Sequence, residues 1–234
     1  MTPRSRQPVL LTLLAGAAAW PARAQTQDDG NRADIPTTQV ASMVGGASLA
    51  LIGPIFDINE GPPSCAPCDP DDLPGIDRWV VRPEQSGWNI ASTVAELALL
   101  GTTWYEMSRE ADGWRRVAAS VEAVAWTIGI NELSNAIIDR SRPVLYTEDA
   151  VEAMARVDSH RSLPSGHTSI SFAAATSYAL SMAHKEGFSR FWPLAAATAV
   201  GAMRLAAARH FTTDVLAGAA LGAGTAIVIH AIRF

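Results

Sequence analysis

Three short stretches in the C-terminal half carry side chains suited to anion chemistry. They are Arg142-Pro143, then Pro164-Ser165-Gly166-His167, then Arg204 followed by His210 and Asp214 in an Arg-x5-His-x3-Asp run. Arginine forks match the oxygens of a phosphoryl group two at a time. Ser165 and Gly166 stand where a helix would open. Free backbone N–H groups, a hydroxyl and a position without side-chain bulk then make a cradle for the same anion. Arg142 and Arg204 are 62 positions apart, each at the end of a predicted helix, so helix packing could bring them together. Asp214 follows His210 by one helical turn, on the same face. A carboxylate on one ring nitrogen would fix the tautomer and leave the other nitrogen nucleophilic. His167 falls in the first helical turn beside the cradle. An unperturbed histidine titrates near ~6.5, so it can give and take protons near neutral pH. His184, His230 and His160 read as structural residues, with His160 near the site loop. Gly218 and Gly222, four apart, read as a helix–helix contact.

These motifs resemble those of the type 2 phosphatidic acid phosphatase and vanadium haloperoxidase superfamily. Its pattern is Lys-x6-Arg-Pro, Pro-Ser-Gly-His and Ser-Arg-x5-His-x3-Asp. The second motif is complete in this chain, Met203 stands at the serine of the third, and Asn135 stands at the lysine of the first. The resemblance covers about residues 91–232. It implies an all-α six-helix bundle, with His210 attacking phosphorus to form a phosphohistidine, supported by Asp214. It implies that His167 protonates the leaving oxygen and then activates water. Arg142, Arg204, Ser165 and Gly166 would bind the phosphate, and Arg140 would offset the missing lysine charge. On the third helix, Asn135 lies seven residues before Arg142, about two turns away, so both can face the same pocket. No metal and no cofactor is implied. The expected substrates are phosphate monoesters or pyrophosphates, lipid or small-molecule. Two alternatives stay open: a vanadium-dependent haloperoxidase, and a non-catalytic phosphate- or phospholipid-binding protein whose site Asn135 marks as decayed.

The elements that must position these residues are six apolar segments, about 42–56, 91–107, 116–138, 166–184, 192–208 and 212–232. None alternates in the manner of a strand, so the predicted class is all-α. A loop over 57–90 separates the first two and holds Cys65 and Cys68. In an exported chain the pair reads most simply as a local disulfide. A thioredoxin-type motif would need a βαβ context, and zinc would need two more ligands. The loop's Asp69, Asp71 and Asp72 read as a solvated acidic stretch. A second long connection, about 139–165, joins the third and fourth segments.

Arg4 and Arg6, the apolar run Val9 to Trp20 and Ala22-Arg23-Ala24 have the pattern of a secretory signal peptide over 1–24. Residues 25–41 read as a flexible lead-in and 42–234 as the phosphatase-type helical domain. The predicted location is the periplasm or the secreted space. The alternative is an integral inner-membrane form with its site facing the periplasm. Basic residues in two inter-helix loops (Arg109, Arg115 and Arg116, then Lys185 and Arg190) favour spanning, while Glu96, Glu122, Asn131 and Glu132 inside the segments are costly in lipid. Membrane association is therefore left open. Of the 234 residues, 48% are hydrophobic and 18% charged, with a formal net charge of −5. That composition excludes a disordered chain, and the acidic balance argues against a nucleic-acid partner.

Overall fold

A computed structural model describes residues 35–55 and 65–234. Residues 1–24, expected from the sequence to be a signal peptide, and the first part of the lead-in lie outside the described residues. The described residues are 75% helical and contain no strand, as the apolar pattern predicts. Six long helices carry the fold: α1 (Thr37–Ile55), α3 (Ser86–Ser108), α4 (Gly113–Ile138), α6 (Gly166–Ser181), α7 (Phe188–Ala206) and α8 (Thr212–Arg233). Two helices of four residues, α2 (Gly75–Arg78) and α5 (Ala150–Ala153), lie in the long connections.

Four of the six long helices start earlier than the apolar runs, and α6 and α8 start where they do. α1 begins at Thr37, within the lead-in, and α3 begins at Ser86. Polar residues fill a first helical turn without breaking it, so hydropathy alone places these starts too late.

The central helix is α6, which packs against α3, α4, α7 and α8. Its buried positions are mostly small: Ser169, Ser171, Ala173, Ala174 and Ala175, with Tyr178 the large exception. Small residues let backbones approach closely, and α8 supplies the matching glycines. A Cβ at Gly218 would stand 2.7 Å from the Ser165 carbonyl, and one at Gly222 would overlap the Ser169 carbonyl. The closeness places the Ser165 N–H 3.0 Å from the Asp214 carbonyl, which joins the openings of α6 and α8.

Two left-handed residues aim the site. Asp139 (φ 51°) donates its N–H to the Asn135 carbonyl and stops α4 at Ile138. The chain then reverses and delivers Arg140 and Arg142. Ala208 (φ 53°) does the same after α7 and turns Arg209 and His210 inward. A left-handed alanine costs roughly 1–2 kcal/mol, which the surrounding packing must offset.

The described part of the predicted loop, residues 65–90, is held by specific contacts and short helical turns. Cys65 and Cys68 form a disulfide. The Cys68 N–H bonds to the Leu145 carbonyl at 2.8 Å, which docks this loop on the second connection. Leu73 and Val80 bury against Phe211, and α2 sits between them in the chain. Asp69, Asp71 and Asp72 are exposed, as expected of a solvated acidic stretch.

Candidate active site

Arg142 lies four residues past the end of α4. Its N–H donates to the Ser159 carbonyl at 2.8 Å, and Pro143 opens a 3₁₀ turn directly after it. Its Nη2 donates to the Arg161 carbonyl at 3.1 Å, while Nε and Nη1 are buried without a hydrogen-bond partner. Arg204, in the last turn of α7, donates Nη1 to Asn89 Oδ1 at 2.6 Å and Ser92 Oγ at 3.0 Å. Its Nε is likewise buried and unpartnered. A third arginine, Arg209, was not marked by the motifs. It donates to Glu84 Oε1 at 2.7 Å and also to Asp158, and its Nε is again unpartnered.

The three cations feel one another. Burial, then repulsion from Arg209, presses Arg142 down to about 10. Burial, then repulsion from Arg142 and Arg209, presses Arg204 down to about 9. Both keep their charge at neutral pH. Buried donors without partners are uncommon because each costs desolvation energy. Four such guanidinium nitrogens in one neighbourhood are donors of the kind that the oxygens of an anion could satisfy.

His210 is 3% exposed, in the turn between α7 and α8. Its Nδ1 lies 2.8 Å from the Ser162 carbonyl. A carbonyl only accepts, so Nδ1 carries the proton and Nε2 is the basic nitrogen. Burial first, then Arg142 and Arg204, holds the ring well below the usual histidine range.

The expected hydrogen bond from His210 to Asp214 is not made. The Asp214 carboxylate stands 3.9 Å from Nδ1. Its oxygens go elsewhere: Oδ2 accepts from the Phe211 N–H at 2.8 Å and from Ser162 Oγ at 2.6 Å, and Oδ1 pairs with Arg140. Asp214 therefore caps α8 and holds Ser162, whose carbonyl holds His210. Burial pushes the Asp214 carboxyl up despite the pull of Arg140.

Arg140 is not brought to the anion site. It donates to Thr213 Oγ1 at 2.6 Å, pairs with Asp214, and donates Nη2 to Asp77 Oδ2 at 2.8 Å. Its guanidinium stacks 4.6 Å over the Phe211 ring. Two buried carboxylates thus balance its charge. Asp77, from α2, was not anticipated. Burial works against its ionisation, but hydrogen bonds from the Thr213 side chain and N–H and from Arg140 outweigh this and hold its carboxyl below the usual range.

His167 occupies the first turn of α6. Its Nε2 lies 3.0 Å from Thr93 Oγ1 and 3.5 Å from a Glu96 carboxylate oxygen, both on α3. Burial, then Arg204, Arg142 and Arg209, pushes the ring down to about 3. Ser165 turns its hydroxyl to Thr168 Oγ1 at 3.0 Å. The cradle it opens therefore consists of the first backbone N–H groups of α6, which a helix leaves without internal partners. A Cβ at Gly166 would lie 3.3 Å from Asn131 Oδ1, tighter than ordinary contact.

Asn135 points at this cradle from below. Its amide donates to Asn131 Oδ1 at 2.9 Å and the Pro164 carbonyl at 3.3 Å, and Asn131 donates to the same carbonyl at 3.2 Å. Because α4 ends at Ile138, the expected two-turn helical relation between Asn135 and Arg142 does not exist. Asn135 supports the Pro164 loop.

Of the residues that the motifs did not mark and that the structure brings to this neighbourhood, Arg209 had a signal, a cation directly before His210. Thr93, Glu96, Glu84, Asp158, Ser162 and Asp77 had none, because each arrives through tertiary packing.

The sequence model of the PAP2 superfamily matches residues 116–234, just over half of the chain, so the chain belongs to that superfamily. The match begins within α4 and includes Arg142, the Pro164–His167 motif, Arg204, His210 and Asp214. Searches of curated proteins and of solved structures found no match. Membership points to phosphatase-type activity.

Proposed function

We propose that the protein is an exported phosphatase that cleaves phosphate monoesters or pyrophosphates through a phosphohistidine on His210. The observation that carries this reading is the set of buried, unpartnered guanidinium nitrogens of Arg142, Arg204 and Arg209, grouped electrostatically with His167 and His210. In this reading the phosphoryl oxygens take those donors and the first N–H groups of α6. His210 Nε2 attacks phosphorus as the bond to the leaving oxygen breaks, and His167 supplies the proton that the leaving oxygen needs. Water, deprotonated at His167, then attacks phosphorus and releases His210. Charge stabilisation comes from fixed cations and backbone dipoles.

The helix α8 bears on where the substrate comes from. Its 22 residues have a mean hydropathy of 2.0 over the most apolar window, of which 22% is buried. By length and composition it is the one helix among the described residues able to cross a membrane. Its exposed Leu216, Ile227, Val228 and Ile232 favour substrates or surroundings of lipid character. The test is phosphate release from a panel of lipid and soluble phosphate esters, with and without detergent and chelator, alongside acid quenching to trap phosphoenzyme. Release that survives chelation, with a trapped intermediate that His210→Ala abolishes, is the expected result. No release from any ester, or an intermediate unaffected by His210→Ala, overturns the proposal.

A further inference from the structure

A proton donor at the leaving oxygen needs a proton at working pH, and His167 holds one poorly. Partial burial, then Arg204, Arg142 and Arg209, pushes its ring down to about 3. An acid of that strength is almost entirely neutral imidazole near pH ~7. The group packed against it from α3 has the opposite tendency. Glu96 is 7% exposed. Burial pushes its carboxyl up to about 8, with Arg204 the only charge pulling it back. A carboxylic acid and a neutral imidazole thus stand side by side, Glu96 Oε2 being 3.5 Å from His167 Nε2. Such contacts are often long before substrate binds and tighten in the complex.

Resting on the phosphatase reading above, we propose that Glu96 is the proton partner of His167, storing on its carboxyl the proton that His167 passes to the leaving oxygen. In the resting site Glu96 is protonated and His167 is neutral with its hydrogen on Nδ1. As the P–O bond breaks, Nδ1–H goes to the leaving oxygen and the Glu96 proton moves to Nε2. The products of this step are a Glu96 carboxylate and a neutral imidazole with its hydrogen on Nε2. In the second step water gives one proton to Nδ1 and its hydroxide to phosphorus, the N–P bond to His210 breaks, and the Nε2 proton returns to Glu96. Each turnover consumes one water and leaves the pair as it began. The Thr93 hydroxyl donates to the Asn89 carbonyl at 3.2 Å and lies 3.0 Å from Nε2, so its oxygen accepts the Nε2 hydrogen once the Glu96 proton has moved there. Glu96 acts through His167, so it is a positioning and proton-storing residue.

The experiment compares wild type with Glu96→Gln on two esters, p-nitrophenyl phosphate and an alkyl phosphate such as glycerol phosphate. The nitrophenolate leaves with little need of a proton, and the alkoxide does not. Glu96→Gln is expected to slow the alkyl ester by ~10²-fold or more, to slow the aryl ester far less, and to remove the wild-type loss of rate as pH rises past about 8. An unchanged alkyl-to-aryl ratio with an unchanged alkaline limb overturns the proposal. A second measurement needs neither turnover nor the variant: the ring-nitrogen NMR shifts of His167 in wild type, followed from about pH 6 to about pH 10. An inflection near 8, as the neighbouring carboxyl ionises, is expected, and a flat response overturns the proposal. If neither ester is hydrolysed but the inflection is present, the phosphatase reading fails and the proton pair stands.

Discussion

The two histidines of the site are held in contrasting ways. His210 is locked by a chain of contacts among close elements: Asp77 and Asp214 hold Arg140, Asp214 holds Ser162, and the Ser162 carbonyl holds the ring at 2.8 Å. His167 has a side chain 30% exposed and is held by one helix, through Thr93 and Glu96. A nucleophile profits from a fixed tautomer and a fixed direction, and burial among cations keeps it unprotonated. A proton carrier must reach both substrate and water, so it cannot be sealed in the same way. On the proposed mechanism, the site divides its work between a rigid half built on the α7–α8 turn and a more open half between α3 and α6.

The largest effect that can break this division is removal of the nucleophile. His210→Ala is expected to lower turnover by at least ~10⁴-fold and abolish the trapped phosphoenzyme. His167→Ala is expected to cost ~10²–10³-fold on an alkyl ester, while phosphoenzyme still forms from an aryl ester. If the two variants behave alike on both esters, the histidines do not have separate roles.

The open half also makes a prediction about stability. The folded protein keeps the Glu96 proton up to about 8, whereas an unfolded chain releases it near 4.5. The folded state binds more protons in that window, so stability falls as pH rises through it. His167 works the other way, but only below its ordinary value of 6.5. From pH 6.5 to 8, Glu96 is therefore expected to take about 1–2 kcal/mol from wild-type stability in denaturant titrations, since the full ~1.4 kcal/mol per pH unit applies only well below 8. Glu96→Gln flattens that slope, and an unchanged slope would show that the carboxyl is ionised in the folded state.

The smallest effect sharpens the rigid half. Asp77→Asn removes one of the two carboxylates on Arg140 but keeps a hydrogen-bonding group opposite Thr213. We expect a loss of about 1–2 kcal/mol in stability and a lower kcat with little change in KM. A lower Tm with normal kcat would separate the α2 contact from the orientation of His210.

Much of the fold was legible in the sequence, since the six long helices coincide with the six apolar segments. Their starts were misplaced where polar residues such as Ser86 and Thr37 fill a first turn. Within the candidate site, the motif residues Arg142, His167, Arg204 and His210 converge because α6 and α8 meet through Gly218 and Gly222, a contact the four-residue glycine spacing announced. Arg140 and Asp214 were placed near the site but with other partners. Spacing shows that Asp214 shares a helix face, but it does not show that the Phe211 N–H and Ser162 hydroxyl compete for the same carboxylate and win.

The sequence by itself determined the helical class, the anion-binding residue types and the pairing of two histidines with arginines, because these follow from local periodicity and side-chain chemistry. The tertiary structure decided which carboxylate serves which group. Glu96 and Asp77 come from helices far away in the chain, Arg140 is claimed by Asp77 and Asp214, and Asn135 supports the Pro164 loop where the superfamily pattern has a lysine. Electrostatic partnerships depend on distance and burial, and neither quantity is written in the spacing of residues along a chain.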